Sequence, residues 1–240
     1  MEKPILLDVK NLNIQYQSSN KLIHAVKNAN FGIYQNEIFG LVGESGSGKS
    51  TLCYGLMNLL PPAARFSSGS ISYMGDDDLR RMPSEEMRLH RWKDISFIPQ
   101  GAMSCLNPVM KISEQFEEAL LDHGFTVGKK EMRTRIASAL QKVDLDITVA
   151  GRYPHELSGG MKQRVCIALA VILSPKLIVA DEPTSALDVI SQRIVLEMLM
   201  TVRQELGASL ILVGHDMALQ AQVVDRIGIM LAGQMIEIGP

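Results

Sequence analysis

The chain has 240 residues, 46% hydrophobic and 21% charged, the proportions of an ordinary globular protein with enough surface to bury a core in one or two domains. Twenty-four Lys and Arg stand against 26 Asp and Glu, a net charge of −2, so no global basic field recruits nucleic acid or an anionic membrane, and any partner is recognised locally. The longest apolar run, Val165 to Leu173, is nine residues where a spanning helix needs about 20, which excludes a chain that crosses a bilayer by itself.

The N-terminal Met-Glu-Lys-Pro-Ile-Leu-Leu-Asp lacks the basic and long apolar regions of a signal peptide, so a cytoplasmic protein is expected. Ile5 to Tyr16 alternates apolar and polar residues and predicts a half-buried strand, with a turn at Gln17-Ser18-Ser19-Asn20 and a second short strand over Ala29 to Ile33. Ile38 to Val42 predicts a compact apolar strand that runs into Gly43-Glu-Ser-Gly-Ser-Gly-Lys-Ser-Thr51, and a helix follows over Leu52 to Leu60, stopped by Pro61-Pro62. From about Pro83 to Val165 charged helical stretches dominate, among them Met132 to Val143, with a short strand at Asp94 to Ile98; this reads as a helix-rich insertion in an α/β protein. Alternation then resumes: helix Met161 to Leu173, strand Leu177 to Ala180, helix Asp188 to Leu206 stopped by Gly207, strand Leu210 to Val213, then Ile227 to Leu231 and Met235 to Ile238. Cys53, Cys105 and Cys166 are odd in number, widely spaced and set among apolar residues, so all three read as buried small hydrophobes. The 14 methionines read as core packing, Met198 sharing a helical stripe with Ile190, Ile194 and Val202.

Gly43-x-x-x-x-Gly48-Lys49-Ser50 is a phosphate-loop pattern in its required setting, between a strand and a helix. Gly43, Gly46 and Gly48 let the backbone curl until its N–H groups face phosphate oxygens, and the following helix adds its positive dipole end. Lys49 supplies a point charge for the β and γ phosphates and the Ser50 hydroxyl a ligand for Mg²⁺. Leu177-Ile178-Val179-Ala180 then delivers Asp181 and Glu182 to the C-terminal edge of a parallel sheet, where Asp181 suits Mg²⁺ ligation through water or through the groups around the ion, and Glu182 suits a general base toward an attacking water. Leu157-Ser158-Gly159-Gly160-Met161 forms a second anion-ready helix N-terminus, with Ser158 as its cap. One γ-phosphate needs only one such loop, so a second phosphate site in the same chain suggests two chains that share nucleotides.

In order and spacing these motifs resemble the ATP-binding subunits of ABC transporters over nearly the whole chain. Gly43 to Ser50 resembles the Walker A motif, Gln100 the Q-loop, Leu157 to Met161 the signature, Leu177 to Glu182 Walker B, Ser185-Ala-Leu-Asp188 the D-loop and His215 the switch histidine. Gly-Glu-Ser-Gly-Ser-Gly-Lys-Ser with Ser104-Cys-Leu-Asn-Pro108 most resembles the oligopeptide, dipeptide and nickel import branch. The resemblance implies an α/β fold, a P-loop NTPase of ABC-ATPase type with an N-terminal antiparallel β portion: one ATPase domain over 1–240, its α/β core at 1–88 and 165–240 and a mainly helical subdomain at about 89–164.

It further implies ATP and Mg²⁺ as ligands and a head-to-tail dimer with a second ABC ATPase subunit, identical or related, a heteropair being favoured. Ser45 and Thr51 join the phosphate loop; Ser158, Gly159 and Gly160 face the γ-phosphate held by the partner chain; Asp188 lies at the dimer seam. Gln100 binds Mg²⁺ or the water, and His215 holds the γ-phosphate. Tyr16 is the choice for the aromatic that stacks on adenine, with Tyr34 and Phe31 nearby. Two departures from the family pattern are Met161 for Gln in the signature and Asn36-Glu37 for Gly-Glu; neither removes a catalytic group, so the site reads as competent.

The implied function is ATP hydrolysis powering a membrane importer, for peptides or nickel, at the cytoplasmic face of the membrane, with transmembrane permease subunits and, indirectly, an extracytoplasmic substrate-binding protein as partners and no nucleic acid. Charged helices between Pro83 and Arg152, with the segment Ala102 to Val109, form the expected permease docking surface. The competing class is a soluble ABC-type ATPase acting on ribosomes or DNA; a single cassette without sustained heptads or a Cys/His cluster weighs against it. A GTPase is weighed against by the missing Asn-Lys-x-Asp base-reading motif. The chain stops at Gln234-Met-Ile-Glu-Ile-Gly-Pro240, where members of the branch continue into an extension that sometimes carries a cysteine cluster.

Overall fold

The computed structural model describes residues 3–18, 21–75, 78–185 and 188–240. In chain order its elements are strands β1 (Ile5–Ser18), β2 (Lys21–Tyr34) and β3 (Ile38–Gly43), helix α1 (Lys49–Leu56), β4 (Ala64–Tyr73), α2 (Ser84–His90), β5 (Ile95–Ile98), α3 (Ile112–Asp122) and α4 (Lys129–Gln141). They continue with α5 (Gly159–Val171), β6 (Leu177–Asp181), α6 (Val189–Leu206), β7 (Ser209–Gly214), α7 (Met217–Gln220), β8 (Arg226–Leu231) and β9 (Gln234–Gly239). Short 3-10 turns stand at Ala102–Cys105, Ile147–Gly151 and Pro154–Glu156. The chain forms two compact units, Met1–Arg91 with Ser209–Pro240, and Trp92–Ala208.

In the first unit β1 lies between β2 and β4, antiparallel to both. β2 is 14 residues long, far beyond the expected Ala29 to Ile33, and pairs with β1 from Ile5↔Tyr34 to Ser18↔Lys21. Its first residues, with Leu22 and Ile23 exposed, show no burial alternation that sequence could report. β4 was not expected at all: its Ser/Gly-rich centre has low strand propensity, and it is a strand because β1 supplies partners at Leu7↔Tyr73 and Val9↔Ile71. Of the expected turn at 17–20, Ser19 and Asn20 lie outside the described residues.

A second sheet in this unit places β3 between β7 and β8, parallel to both, with β9 antiparallel to β8. Buried Phe39, Leu41, Leu210, Ile211 and Val213 form its core. The turn into β3 explains one family departure: Asn36 has φ 58, a left-handed conformation that asparagine tolerates where glycine is usual. Glu37, only 2% exposed, then accepts from the Tyr34 N–H at 2.7 Å and pairs with Arg226 Nη1 at 2.9 Å. The Arg226 guanidinium also lies over the Tyr34 and Phe39 rings, 5.1 and 5.5 Å from their centroids. This knot pins the start of β3, and so the direction in which its far end leaves the sheet.

In the second unit β5 and β6 pair in parallel, and α5 packs against β5, α3, α4 and α6. β6 is buried along its whole length. α6 is stopped by Gly207 at φ 61, as expected, and Asp188, expected as its first residue, is its N-cap. Two expectations about burial fail. Cys53 and Cys166 are buried but Cys105 is exposed, since it ends a surface 3-10 turn. Met198 and Val202 are buried, whereas Ile190 is 74% and Ile194 42% exposed: the covered face of α6 runs through Val195, Leu196, Met198, Leu199 and Val202, to one side of the expected stripe.

Candidate active site

The first unit carries the phosphate loop. β3 ends at Gly43 and α1 starts at Lys49, three residues before the expected start, so the loop closes directly onto a helix N-terminus. A Cβ on Gly43 would sit 2.3 Å from the Met230 carbonyl oxygen, so only glycine lets the loop leave β3 against β8. Gly48 has φ 104, and a Cβ there would lie 2.2 Å from the Ala25 carbonyl oxygen of β2. Between them Glu44, Ser45 and Gly46 are exposed, while Gly48, Ser50 and Thr51 are half-buried.

Lys49 is 6% exposed, and its Nζ donates to the carbonyls of Gly43 at 2.7 Å and Glu44 at 2.9 Å and to Ser47 Oγ at 3.4 Å. The acceptors holding this buried cation are neutral oxygens of the loop itself, so its charge is arranged for an anion the loop can receive. Tyr16 Oη is 3.4 Å from Thr51 Oγ1, which puts this half-buried ring beside the first turn of α1. The other aromatics are engaged elsewhere: Phe31 is buried and stacks on Phe39 at 5.7 Å, and Tyr34 lies under Arg226. The β3–β7 register, Val42↔Gly214, sets His215 level with Gly43. Exposed His215, Gly43, Glu44 and Ser45 line one cleft of about 480 Å³ with Met230 and Ile236.

The second unit carries the carboxylates. Register Ile98↔Ala180 in the parallel β5–β6 pair means that two residues further on each strand emerge at one level, and there Gln100 Nε2 donates to Glu182 Oε2 at 3.1 Å. Asp181, 1% exposed, ends β6; Glu182, half-buried, follows with φ 47. A glutamate in the left-handed region is uncommon, and such conformations concentrate at functional sites. Gln100 is exposed, and an amide that donates through Nε2 has its Oε1 for a cation.

Two capped helix N-termini complete the set in this unit. Ser158 Oγ accepts from the Met161 N–H at 3.3 Å, capping α5; Ser158 and Gly159 are exposed, Gly160 is half-buried, and a Cβ on Gly160 would meet nothing within 4 Å. Asp188 accepts from the Ser191 N–H at 3.0 Å and the Ser191 hydroxyl at 2.6 Å, bonds that hold its carboxyl below the usual range. Ala186 and Leu187 of the expected D-loop lie outside the described residues. Two residues were missed from sequence: Gln163 Nε2 donates to the Pro183 carbonyl and Gln192 Nε2 to the Thr184 carbonyl, both just beyond Glu182. A polar residue in the buried stripe Gln163, Ile167, Ala170 was the available signal.

Loop N–H groups, a buried ammonium and open helix N-termini fit phosphate. In the first unit the Ser50 hydroxyl, and in the second the Gln100 amide and the Asp181 carboxylate, each offer oxygen, the donor type that a hard divalent cation such as Mg²⁺ takes.

A family model described as ABC transporter matches residues 26–185. The dipeptide transport ATP-binding protein DppD of Bacillus subtilis is 41% identical over 242 residues, covering 100% of this chain and 71% of that protein. The oligopeptide transport ATP-binding protein OppD of the same organism is 39% identical, covering 98% of this chain and 66% of its own. Among solved structures, a dimeric post-hydrolysis state of the ATP-binding cassette MJ0796 bound to ADP and Pi superposes with a TM-score of 0.85 at 27% identity, covering 98% of each chain.

Proposed function

The chain belongs to the ABC transporter family and is an ATPase coupled to transport, and from that premise we propose that it powers a peptide importer through the residues described above. Its fold is that of an ABC ATPase cassette, and the alternative of a soluble ATPase working on ribosomes or DNA is not favoured.

In the proposed cycle the backbone of the phosphate loop and Lys49 bind the β and γ phosphates, while Tyr16 stacks on adenine. Ser50, Asp181 and Gln100 hold Mg²⁺, whose chemistry is to neutralise phosphate charge. Glu182 accepts the proton of the attacking water, aimed by its bond from Gln100, and His215 orients the γ-phosphate. Ser158, Gly159 and Gly160 present the N-terminus of α5 to nucleotide bound on a second ABC ATPase subunit, identical or related, with Asp188 at the seam; that the MJ0796 cassette is dimeric supports pairing with a second subunit. The observation that carries hydrolysis is the 3.1 Å Gln100–Glu182 bond, because strand register alone brings together two residues 82 apart in sequence.

Peptide is the cargo class the relatives' names support over nickel. No described helix is long and apolar enough to cross a membrane, so permease subunits would supply the path, with the chain docked at the cytoplasmic face. The helical part at about 89–164 is proposed as the docking subdomain on the ATPase core. It contains a groove of about 800 Å³ between α3, α4 and the turn Ile147–Gly151, lined by Leu121, Met132, Ile136 and Ile147 with Glu117 and Arg133, dimensions suited to a short permease helix. Beside it, the segment after Gln100 includes Val109 at 80% exposure; the side chains of Ala102 and Met103 lie outside the described residues.

The test is Glu182→Gln. ATP affinity should stay within a few-fold while turnover falls by about 10²–10⁴. Hydrolysis at the unchanged rate refutes the role of Glu182. Chain immobilised with ATP should retain a multi-spanning permease from solubilised membranes, and co-sedimentation with ribosomes or DNA instead would refute the importer reading.

A further inference from the structure

The first turns of α5 face two ways. Ser158, Gly159 and Gly160 lie exposed or half-buried at its start. Gln163, five residues on and hence about 7.5 Å along the axis, is buried at 3% exposure and donates a 2.5 Å hydrogen bond to the carbonyl of Pro183.

That carbonyl belongs to the residue immediately after Glu182, whose φ of 47 is not a conformation glutamate adopts at no cost. Pro183 has no N–H with which to anchor the segment through a ladder bond, so its position depends on what its carbonyl accepts. Gln192 of α6 grips the next residue, accepted by the Thr184 carbonyl at 3.2 Å, and the Ser185 N–H closes a turn on the Glu182 carbonyl at 3.2 Å. The strand end is therefore held from behind by two glutamine amides, of which Gln163 makes the shorter bond and sits on the helix with the exposed phosphate-ready N-terminus. A buried amide at this distance transmits displacement, because losing the bond would strand a polar group away from water.

We propose that Gln163 is a positioning residue that fixes the backbone from which Glu182 is aimed, and so couples the engagement of the α5 N-terminus with phosphate to hydrolysis at the chain's own Glu182. This rests on the roles assigned above to Glu182 and to Ser158–Gly160. Gln163, 3% exposed, acts through the Pro183 carbonyl.

Two variants test it in the full chain assembled with its second ATPase subunit. Gln163→Met keeps the side-chain length and removes the donor. Its kcat should fall about tenfold, with KM for ATP and the affinity for a fluorescent ATP analogue within twofold and the unfolding midpoint little moved. Gln163→Glu keeps the shape: a neutral carboxyl donates as the amide does and a carboxylate cannot. Its kcat relative to the unchanged chain should therefore be highest at low pH and decline as pH rises, a signature that looser packing alone would not produce. If Gln163→Met misfolds, the pH dependence of Gln163→Glu decides alone.

An unchanged kcat in Gln163→Met, or a flat kcat ratio with pH in Gln163→Glu, overturns the proposal. Glu182→Gln run alongside separates the two levels: if it abolishes turnover while the Gln163 variants are silent, the coupling role fails and the catalytic assignment stands. If Glu182→Gln itself still turns over, both fall.

Discussion

Lys49→Met isolates the charge at the phosphate loop. Methionine keeps most of the buried stem of a residue that is 6% exposed and removes the Nζ held by the Gly43 and Glu44 carbonyls at 2.7 and 2.9 Å. In the nucleotide-free chain this leaves two carbonyls, but the adjacent Glu44, Ser45 and Gly46 are exposed and water can replace the ammonium. The stability cost should be about 1 kcal/mol, a Tm shift of roughly 2–4 °C for a chain of this size. With ATP bound the loss is larger, since one hydrogen bond from an ammonium to a phosphate oxygen is worth about 1.5–3 kcal/mol. At 1.4 kcal/mol per factor of ten, ATP should bind about 10- to 100-fold more weakly. Isothermal titration with ATP and thermal unfolding of the same sample measure the two quantities. An affinity within twofold of the unchanged chain refutes contact between Lys49 and phosphate; a Tm loss above about 10 °C would make Lys49 a structural residue and refute the hydration argument.

Two further substitutions probe other parts of the molecule. Ser158→Arg removes the α5 cap, worth about 1 kcal/mol, and fills the open space in front of Gly160; ATPase activity should collapse while ATP binding by the chain itself and its Tm stay near their starting values, and full turnover would refute a shared site. Arg226→Met leaves the Glu37 carboxylate, 2% exposed, without its guanidinium; as the Arg226 side chain is 27% exposed, the cost should be about 2–3 kcal/mol, below the range for a fully buried pair, and be partly recovered by adding Glu37→Gln, and an unchanged urea midpoint would refute the pinning of β3.

The elements whose cause is local were legible in the sequence. The glycine spacing of 43–48, the Ser158 cap, the α6 start at Asp188 and the Gly207 stop lie in contiguous residues, and the structure has them within a few positions of expectation. β6 was legible because a strand buried on both faces reads as an unbroken apolar run. β4 and the first half of β2 were not, because pairing with β1 makes them strands against or without any burial pattern of their own. Exposed Cys105, Ile190 and Ile194 mark the same limit: periodicity states which residues of an element are apolar and not which of them a neighbour covers.

The amino-acid sequence by itself determined the chemistry: which residues can cradle phosphate, which carboxylates follow a buried strand, and which helix starts can receive an anion. Tertiary structure decided the partnerships. Strand register joins Gln100 to Glu182 and sets His215 level with Gly43, the Tyr16 hydroxyl reaches Thr51 while Phe31 and Tyr34 are engaged elsewhere, and Gln163 holds the carbonyl of Pro183, the residue after Glu182. The Gln100–Glu182, Tyr16–Thr51 and Gln163–Pro183 contacts link residues 20 or more apart in sequence, and a hydrogen bond forms only where folding brings donor and acceptor to about 3 Å, a distance that no local pattern encodes.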